Sequence, residues 1–190
     1  MKAPSRPLLW LLAVAVLLIG GNCSQAAWER HYSPVMPTRV YIVRHAEKDL
    51  TPGLADPPLT PAGQARALAL RKALLKHRPA SAIFSTATTR TRATAEPLAQ
   101  ALHLPIQPYD AKQLPALAAL IRRRYVGQDV VVIGHSNTIL ETVEALGAPR
   151  PVPTISDEQY DYLLEVTIPR DSTQAATAVA QQYGRRSAVR

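Results

Sequence analysis

The sequence is short of the residues that staple, stack or chelate. It holds one cysteine, Cys23, which excludes an intrachain disulfide and a thiolate metal cluster. Phenylalanine occurs once and aromatic residues make up 5% of the chain, so few rings are available for base stacking. There is no glycine-rich dinucleotide turn, no Walker loop and no His-Glu-x-x-His stretch. No internal repeat or interdomain linker breaks the chain. What is abundant is aliphatic: 47% of the 190 residues are hydrophobic, enough for one core built from Leu, Val, Ile and Ala. Seventeen prolines argue for many turns and against a bundle of long helices.

The first 27 residues read as a targeting segment rather than part of the fold. Lys2 and Arg6 precede the apolar run from Leu8 to Ile19, and small residues lead to Ser24-Gln25-Ala26-Ala27. A basic head, a short apolar run and a small-residue exit describe a secretory signal. The run is short for a membrane span of about 20 residues. An uncleaved anchor is the alternative. Lipidation at Cys23 ranks lower, because Asn22 stands where a small residue is expected. Cleavage near Ala26 or Ala27 removes Cys23 and leaves a cysteine-free domain over 28–190. That composition suits an oxidising compartment, so the expected location is periplasmic or secreted, with membrane contact only through an uncleaved segment.

The formal net charge is +8, and without Lys2 and Arg6 there remain 20 basic residues against 14 acidic ones. The charges are scattered, and Arg122-Arg123-Arg124 is the one dense basic run before the tail. With few aromatics to accompany it, this balance points to anionic small molecules rather than nucleic acid.

Periodicity and turn residues outline alternating elements. Arg39 to Val43 is a buried-type strand, followed by a proline-rich loop over 44–59. Thr60-Pro61 starts a helix that carries Gly63, Ala67, Leu70 and Leu74 on one face, with Arg66, Arg71, Lys72 and Lys76 elsewhere, up to Pro79. A strand over 82–84, a helix over 90–102, a strand over 104–107 and a helix over 114–125 follow. Asp129 to Ile133 is the clearest strand, and Asn137 to Leu146 a helix closed by Gly147. Residues 162–168 and 176–182 suit a terminal antiparallel pair, and the arginine-rich tail 184–190 is expected to fray. The order predicts an α/β three-layer sandwich, a mostly parallel sheet with helices on both faces.

Two histidines each end a β-branched run. Arg44-His45-Ala46-Glu47 follows Val40-Tyr41-Ile42-Val43, and Gly134-His135-Ser136-Asn137 follows Val130-Val131-Val132-Ile133. Strand ends are where open α/β sheets place ligands. Breaking a phosphate ester without a metal needs a nucleophile, a seat for anionic oxygens and a proton for the leaving group. A neutral imidazole can attack phosphorus, and guanidinium groups bind phosphoryl oxygens in a fork while depressing the imidazole pKa. Such parts lie at three strand ends: Arg44 and His45, then Arg90, then His135. Ser136 and Asn137 follow as substrate-binding candidates. Helix starts near Arg90 and Asn137 add backbone donors for an anion.

The chain resembles the histidine phosphatase, or phosphoglycerate-mutase-like, superfamily in four ordered segments. These are Val40 through Glu47, Leu59-Thr60-Pro61-Ala62-Gly63-Gln64-Ala65, Ser85 through Arg90-Thr91-Arg92-Ala93-Thr94-Ala95-Glu96, and Val132-Ile133-Gly134-His135-Ser136-Asn137. The resemblance implies a phosphoglycerate-mutase-like fold, His45 as the nucleophile of a transient phosphohistidine, and Arg44, Arg90 and His135 completing the phosphate pocket. It implies no metal or cofactor. It favours Arg90 over Arg92, because the pocket arginine stands four residues before the Thr-Ala pair, here Thr94-Ala95. Glu47 is expected to orient an arginine.

The departure from the family concerns the proton donor. Ser136 occupies one position where an acid is common, and no long insertion follows the third strand. Asp110 is the candidate acid, with a turn or helix cap as its other role; Glu47 and Asp157 rank below it. A phosphoramidate would need less help from an acid. Hydrolysis is expected over mutase action, since little chain remains to build a lid. The expected partner is a small phosphorylated substrate, such as a sugar phosphate or an envelope glycan phosphate. The rivals are a phosphohistidine phosphatase, a binding relative without turnover, and a zinc hydrolase that uses both histidines.

Overall fold

The computed structural model describes residues 36–187. The signal segment expected over 1–27 and the last three positions of the tail lie outside the described residues. Among the described residues no helix is long and apolar enough to cross a membrane.

Among the described residues there are six strands and four helices, which alternate as far as β5. Strand β1 (Thr38–Arg44) leads through a long loop to α1 (Pro61–Leu74), then β2 (Ala82–Ser85), α2 (Thr89–Leu102) and β3 (Ile106–Pro108). Helix α3 (Leu114–Arg124), β4 (Asp129–Gly134), α4 (Ile139–Ala145), β5 (Tyr162–Ile168) and β6 (Thr177–Gln182) complete it. They form one sheet in the order β3-β2-β4-β1-β5-β6. The first four of these strands are parallel neighbours, while β5 runs antiparallel to β1 and β6 to β5.

Strand side chains alternate between two packed faces. Val40, Ile42, Val130 and Val132 meet α3 and α4 through Leu117, Ile121, Ile139 and Val143. Tyr41, Val43, Val131 and Ile133 meet α1 and α2 through Leu70, Leu74, Leu98 and Ala99. Burial on both faces explains the near-continuous apolar runs of β1 and β4. The three-layer sandwich expected from element order is therefore the observed architecture.

Local differences have local causes. Helix α1 ends at Leu74, before Pro79, with Leu75 as its C-cap. Thr60 caps its start, its hydroxyl accepting from Gly63 N at 3.1 Å. Arg66, read as lying off the apolar face, is nonetheless buried. Helix α4 begins at Ile139 rather than Asn137, because the preceding residues form a turn in which Thr138 N donates to His135 O at 3.0 Å.

The tail also differs from expectation over 184–187. The Tyr183 ring is buried with α1 and α2, and its N–H donates to Asp161 O at 2.9 Å. Gly184 then adopts φ 67°, and Ser187 Oγ accepts from Tyr160 N at 2.8 Å. A buried anchor and a side-chain bond hold this stretch against the domain.

Candidate active site

Parallel pairing brings the two histidines together. The register aligns Arg44 with Gly134, so the next residue of each strand is a histidine at a neighbouring strand end. His45 N donates to Gly134 O at 2.9 Å, continuing the ladder one step. The imidazole centroids are 5.5 Å apart, edge to face. On the other side of β4, Ser85 pairs with Ile133, which brings Thr86 to His135. The two elements that carry the histidines are thus locked by backbone bonds rather than by loops.

His45 is buried, and its Nδ1 lies 2.8 Å from Ala46 O. A carbonyl only accepts, so Nδ1 carries the proton and Nε2 keeps its lone pair. Ala46 N in turn donates to Thr94 Oγ1 at 2.9 Å, and that hydroxyl donates to Arg90 O at 2.8 Å. The turn after β1 is therefore tied to the first turns of α2. His135 Nε2 lies 3.0 Å from Thr86 Oγ1, which lies 3.0 Å from Thr91 Oγ1.

Burial pushes the His45 pKa down to about 3, with Arg44, Arg90 and His135 adding repulsion and the Ala46 carbonyl acting the other way. His135 is lowered too, again first by burial and then by Arg90 and Arg44. The cations act as expected, but desolvation is the larger cause. An unfolded histidine titrates near 6.5. Between that value and about 3 the unfolded chain takes up a proton at this position that the native state refuses. Stability should therefore rise with pH across that window. In the absence of an anion, the His45 Cε1–H resonance should show no titration between pH 5 and 8; a midpoint between 6 and 7 would contradict the buried setting.

Arg44 is held by its surroundings. Its Nη1 donates to Asp157 O at 2.7 Å, to Ser156 O at 3.2 Å and to Gln159 O at 3.3 Å, and its guanidinium carbon lies 4.1 Å over the Tyr160 ring. Arg90 is positioned by Asp56, whose Oδ1 lies 3.4 Å from its Nη1. The same carboxylate accepts from Thr89 N at 2.9 Å, capping the start of α2. Among the described residues, Arg44 Nε and Arg90 Nε have no acceptor, so both guanidinium groups retain donor capacity.

These groups line one cavity of about 970 Å³. It contains Arg44, His45, Arg90, His135, Ser136 and Asn137 from the sequence reading. Arg92 lies elsewhere, beside Glu96 and His103. Glu47 also lines the cavity, with its carboxylate 2.6 Å from Arg66 Nη2 and 2.9 Å from Arg66 Nε. It orients an arginine, as expected of it.

Asp110 requires correction. It is exposed, does not line the cavity, and its Oδ1 accepts from Lys112 N at 2.9 Å. The short β3–α3 connection uses it as a turn cap, which places its carboxyl away from the histidines. Asp157 and Glu158 enter the cavity instead, from the loop before β5. Asp157 Oδ1 accepts from Ser136 Oγ at 2.7 Å, and that bond, followed by Arg44, holds its carboxyl below the ordinary carboxylate range.

Thr86, Thr94, Asp56 and Tyr160 are contributors the sequence reading left without roles. Thr86 and Thr94 lay inside a segment already singled out. Asp56 and Tyr160 carry no local signature, because each acts on a residue more than 30 positions away. Among the described residues, no group of three His, Cys, Asp or Glu side chains is placed to hold a metal ion.

A family model described as the histidine phosphatase superfamily (branch 1) matches residues 40–113. No curated protein matches significantly. Solved structures share the fold. Mycobacterial hydrolase 2 aligns with TM-score 0.60 at 15% identity, covering 81% of this chain and 93% of its own. Mycobacterial glucosyl-3-phosphoglycerate phosphatase Rv2419c with inorganic phosphate aligns with TM-score 0.57 at 15% identity, covering 79% and 97%. A protein designated phosphohistidine phosphatase SixA, from Agrobacterium tumefaciens, aligns with TM-score 0.53 at 22% identity, covering 77% and 97%.

Proposed function

We propose that the chain, whose residues 40–113 match the histidine phosphatase superfamily model, is an exported, metal-independent phosphatase that hydrolyses phosphate monoesters through a phosphohistidine on His45. The observation that carries this reading is the joint placement of His45, His135, Arg44 and Arg90 around one cavity, with His45 Nδ1 committed to Ala46 O. In the proposed reaction His45 Nε2 attacks phosphorus and the ester P–O bond breaks. The leaving oxygen takes a proton from solvent, and water then attacks the phosphohistidine, returning a proton to solvent as phosphate is released and the imidazole regenerated. Arg44, Arg90 and His135 offset the charge that develops on the equatorial oxygens. Ser136 and Asn137 line the substrate side of the same cavity. The substrate class is a small phosphorylated metabolite, a sugar phosphate or envelope glycan phosphate among the options. Export is supported by the basic head and the apolar run Leu8–Ile19. A cytoplasmic chain whose intact mass retains residues 1–27 would overturn that part.

Hydrolysis of 4-nitrophenyl phosphate by the purified chain should survive exhaustive chelation. Arg90→Ala should lower kcat/KM by about a hundredfold or more, as removal of a charge-stabilising donor does. Arg92→Ala should change it less than threefold. Activity lost to chelation, or equal losses in the two variants, would refute the arrangement.

A second reading, a phosphohistidine or other phosphoramidate as substrate, is favoured by the acids of the cavity. Glu47 is engaged by Arg66, and Asp157 is held ionised by Ser136 and Arg44. A leaving nitrogen that is already protonated needs no acid from the enzyme. A steep dependence of kcat/KM on leaving-group pKa among aryl phosphates supports this reading, and a flat one supports the monoester.

A further inference from the structure

The cavity is larger and more basic than a phosphoryl group requires. A volume of about 970 Å³ lies at the upper end of small-molecule sites, which run to roughly 1,000 Å³. Six basic residues line it, Arg44, Lys48, Arg66, Arg90, Arg185 and Arg186, against the three carboxylates of Glu47, Asp157 and Glu158. Asp56 beside Arg90 and Asp161 near Arg186 offset part of this surplus from outside the cavity.

The surplus traces to the segment after β6. Tyr183 anchors this segment in the core, and Arg66 Nη1 donates to Tyr183 O at 3.3 Å. Gly184, at φ 67°, turns the chain toward the cavity, a conformation that costs glycine little. Arg185, Arg186 and Ser187 then form one wall. Tyr160 joins this wall to the phosphoryl site: its N–H donates to Ser187 Oγ at 2.8 Å, while its ring lies under Arg44 and 6.1 Å from the His45 ring. Among the described residues Arg185 has no ion-pair partner, and Arg186 has one contact, to Asp161 Oδ2 at 3.9 Å, with its side chain 70% exposed. Two arginines adjacent in sequence therefore line an already cationic cavity, and among the described residues their one ion-pair contact is the long one to Asp161. A planar fork of donors matches a carboxylate or a second phosphate.

We propose that Arg185 and Arg186 form a second anion subsite, so that the preferred ligand carries a carboxylate or phosphate in addition to the phosphoryl group transferred at His45. This rests on the phosphoryl site proposed above. It adds a requirement on the rest of the substrate, which the four central residues do not impose.

The test uses the full chain and non-hydrolysable arylphosphonates, with affinities measured by calorimetry in competition with inorganic phosphate. 3-Carboxyphenylphosphonate and 1,3-phenylenediphosphonate should each bind at least tenfold more tightly than phenylphosphonate, and their ranking identifies which second anion is preferred. In the double variant Arg185→Ala/Arg186→Ala that advantage should shrink to under threefold, and Arg185→Lys/Arg186→Lys should restore part of it. Equal affinities for the three ligands in the unaltered chain, or an advantage that survives the double alanine variant, would overturn the subsite alone. Failure of phenylphosphonate to compete with phosphate would overturn the phosphoryl reading, and the subsite with it. If the alanine variant fails to fold, Arg185→Gln/Arg186→Gln supplies the same comparison, with the same shrinkage expected.

Discussion

Replacing His45 by alanine should lower kcat by about 10⁴-fold or more, with far-ultraviolet circular dichroism unchanged. If His45 is the nucleophile proposed above, its loss removes the covalent route altogether, and what remains is the stabilisation supplied by the anion pocket. His45 occupies the one position in the cavity where a buried imidazole has its Nδ1 committed to a carbonyl, Ala46 O at 2.8 Å. His135 differs, since its Nε2 is engaged by the Thr86 hydroxyl at 3.0 Å. His135→Ala should therefore leave phosphohistidine formation detectable by acid-labile phosphate trapping, while His45→Ala abolishes it. Retention of a tenth of the activity in His45→Ala, or a phosphoryl label on another side chain, would assign the attack elsewhere.

Gly63→Ala should destabilise the domain by about 2 to 3 kcal/mol and depress activity as well, the reverse of what a helical glycine ordinarily returns. In an open helix the change would gain up to about 1 kcal/mol from propensity. Here a methyl group at position 63 would overlap the Glu47 carbonyl oxygen. That oxygen is not free to move, because Thr60 N donates to it at 2.9 Å and Thr60 Oγ1 at 3.2 Å. Relief requires α1 to shift from the turn that holds His45, or the helix cap to open. Both routes resemble the overpacking of a filled core, with costs of about 1 to 3 kcal/mol. Urea denaturation measures the outcome, and a raised midpoint would show that the helix and the turn are not in contact as described.

Most of the layer structure was legible in the chain because its causes are local. Apolar runs at Val40–Val43 and Val130–Ile133 reflect strands buried on both faces, and Thr60-Pro61 marks a helix start wherever it occurs. Boundaries were read less well where a side chain or turn elsewhere decides them. Helix α4 starts late because a turn over His135–Thr138 precedes it. The burial of Arg66 was not legible because helical spacing says nothing about Glu47, 19 residues earlier, with which it pairs.

The candidate site divides in the same way. Arg44, His45, Arg90 and His135 could be named beforehand because each lies in an ordered segment at the end of a strand or the start of a helix. Asp110 was misplaced because proximity to a strand end in the sequence does not say which way a short connection points. The role of Asp157 depends on Arg44, 113 residues away, and on Ser136. Arg185 and Arg186 read as a loose tail because nothing local shows that Tyr183 is buried or that Tyr160 N reaches Ser187.

The sequence by itself determined the order of the elements, the two histidines that end strands, and the arginines beside and between them, since hydrophobic periodicity and turn chemistry act over a few residues. Only the tertiary structure decided which charges share a cavity, which carboxyl groups reach it, and that the last described residues form one of its walls. Those relations arise from strand register and from packing across the sheet, which join positions that no local pattern connects.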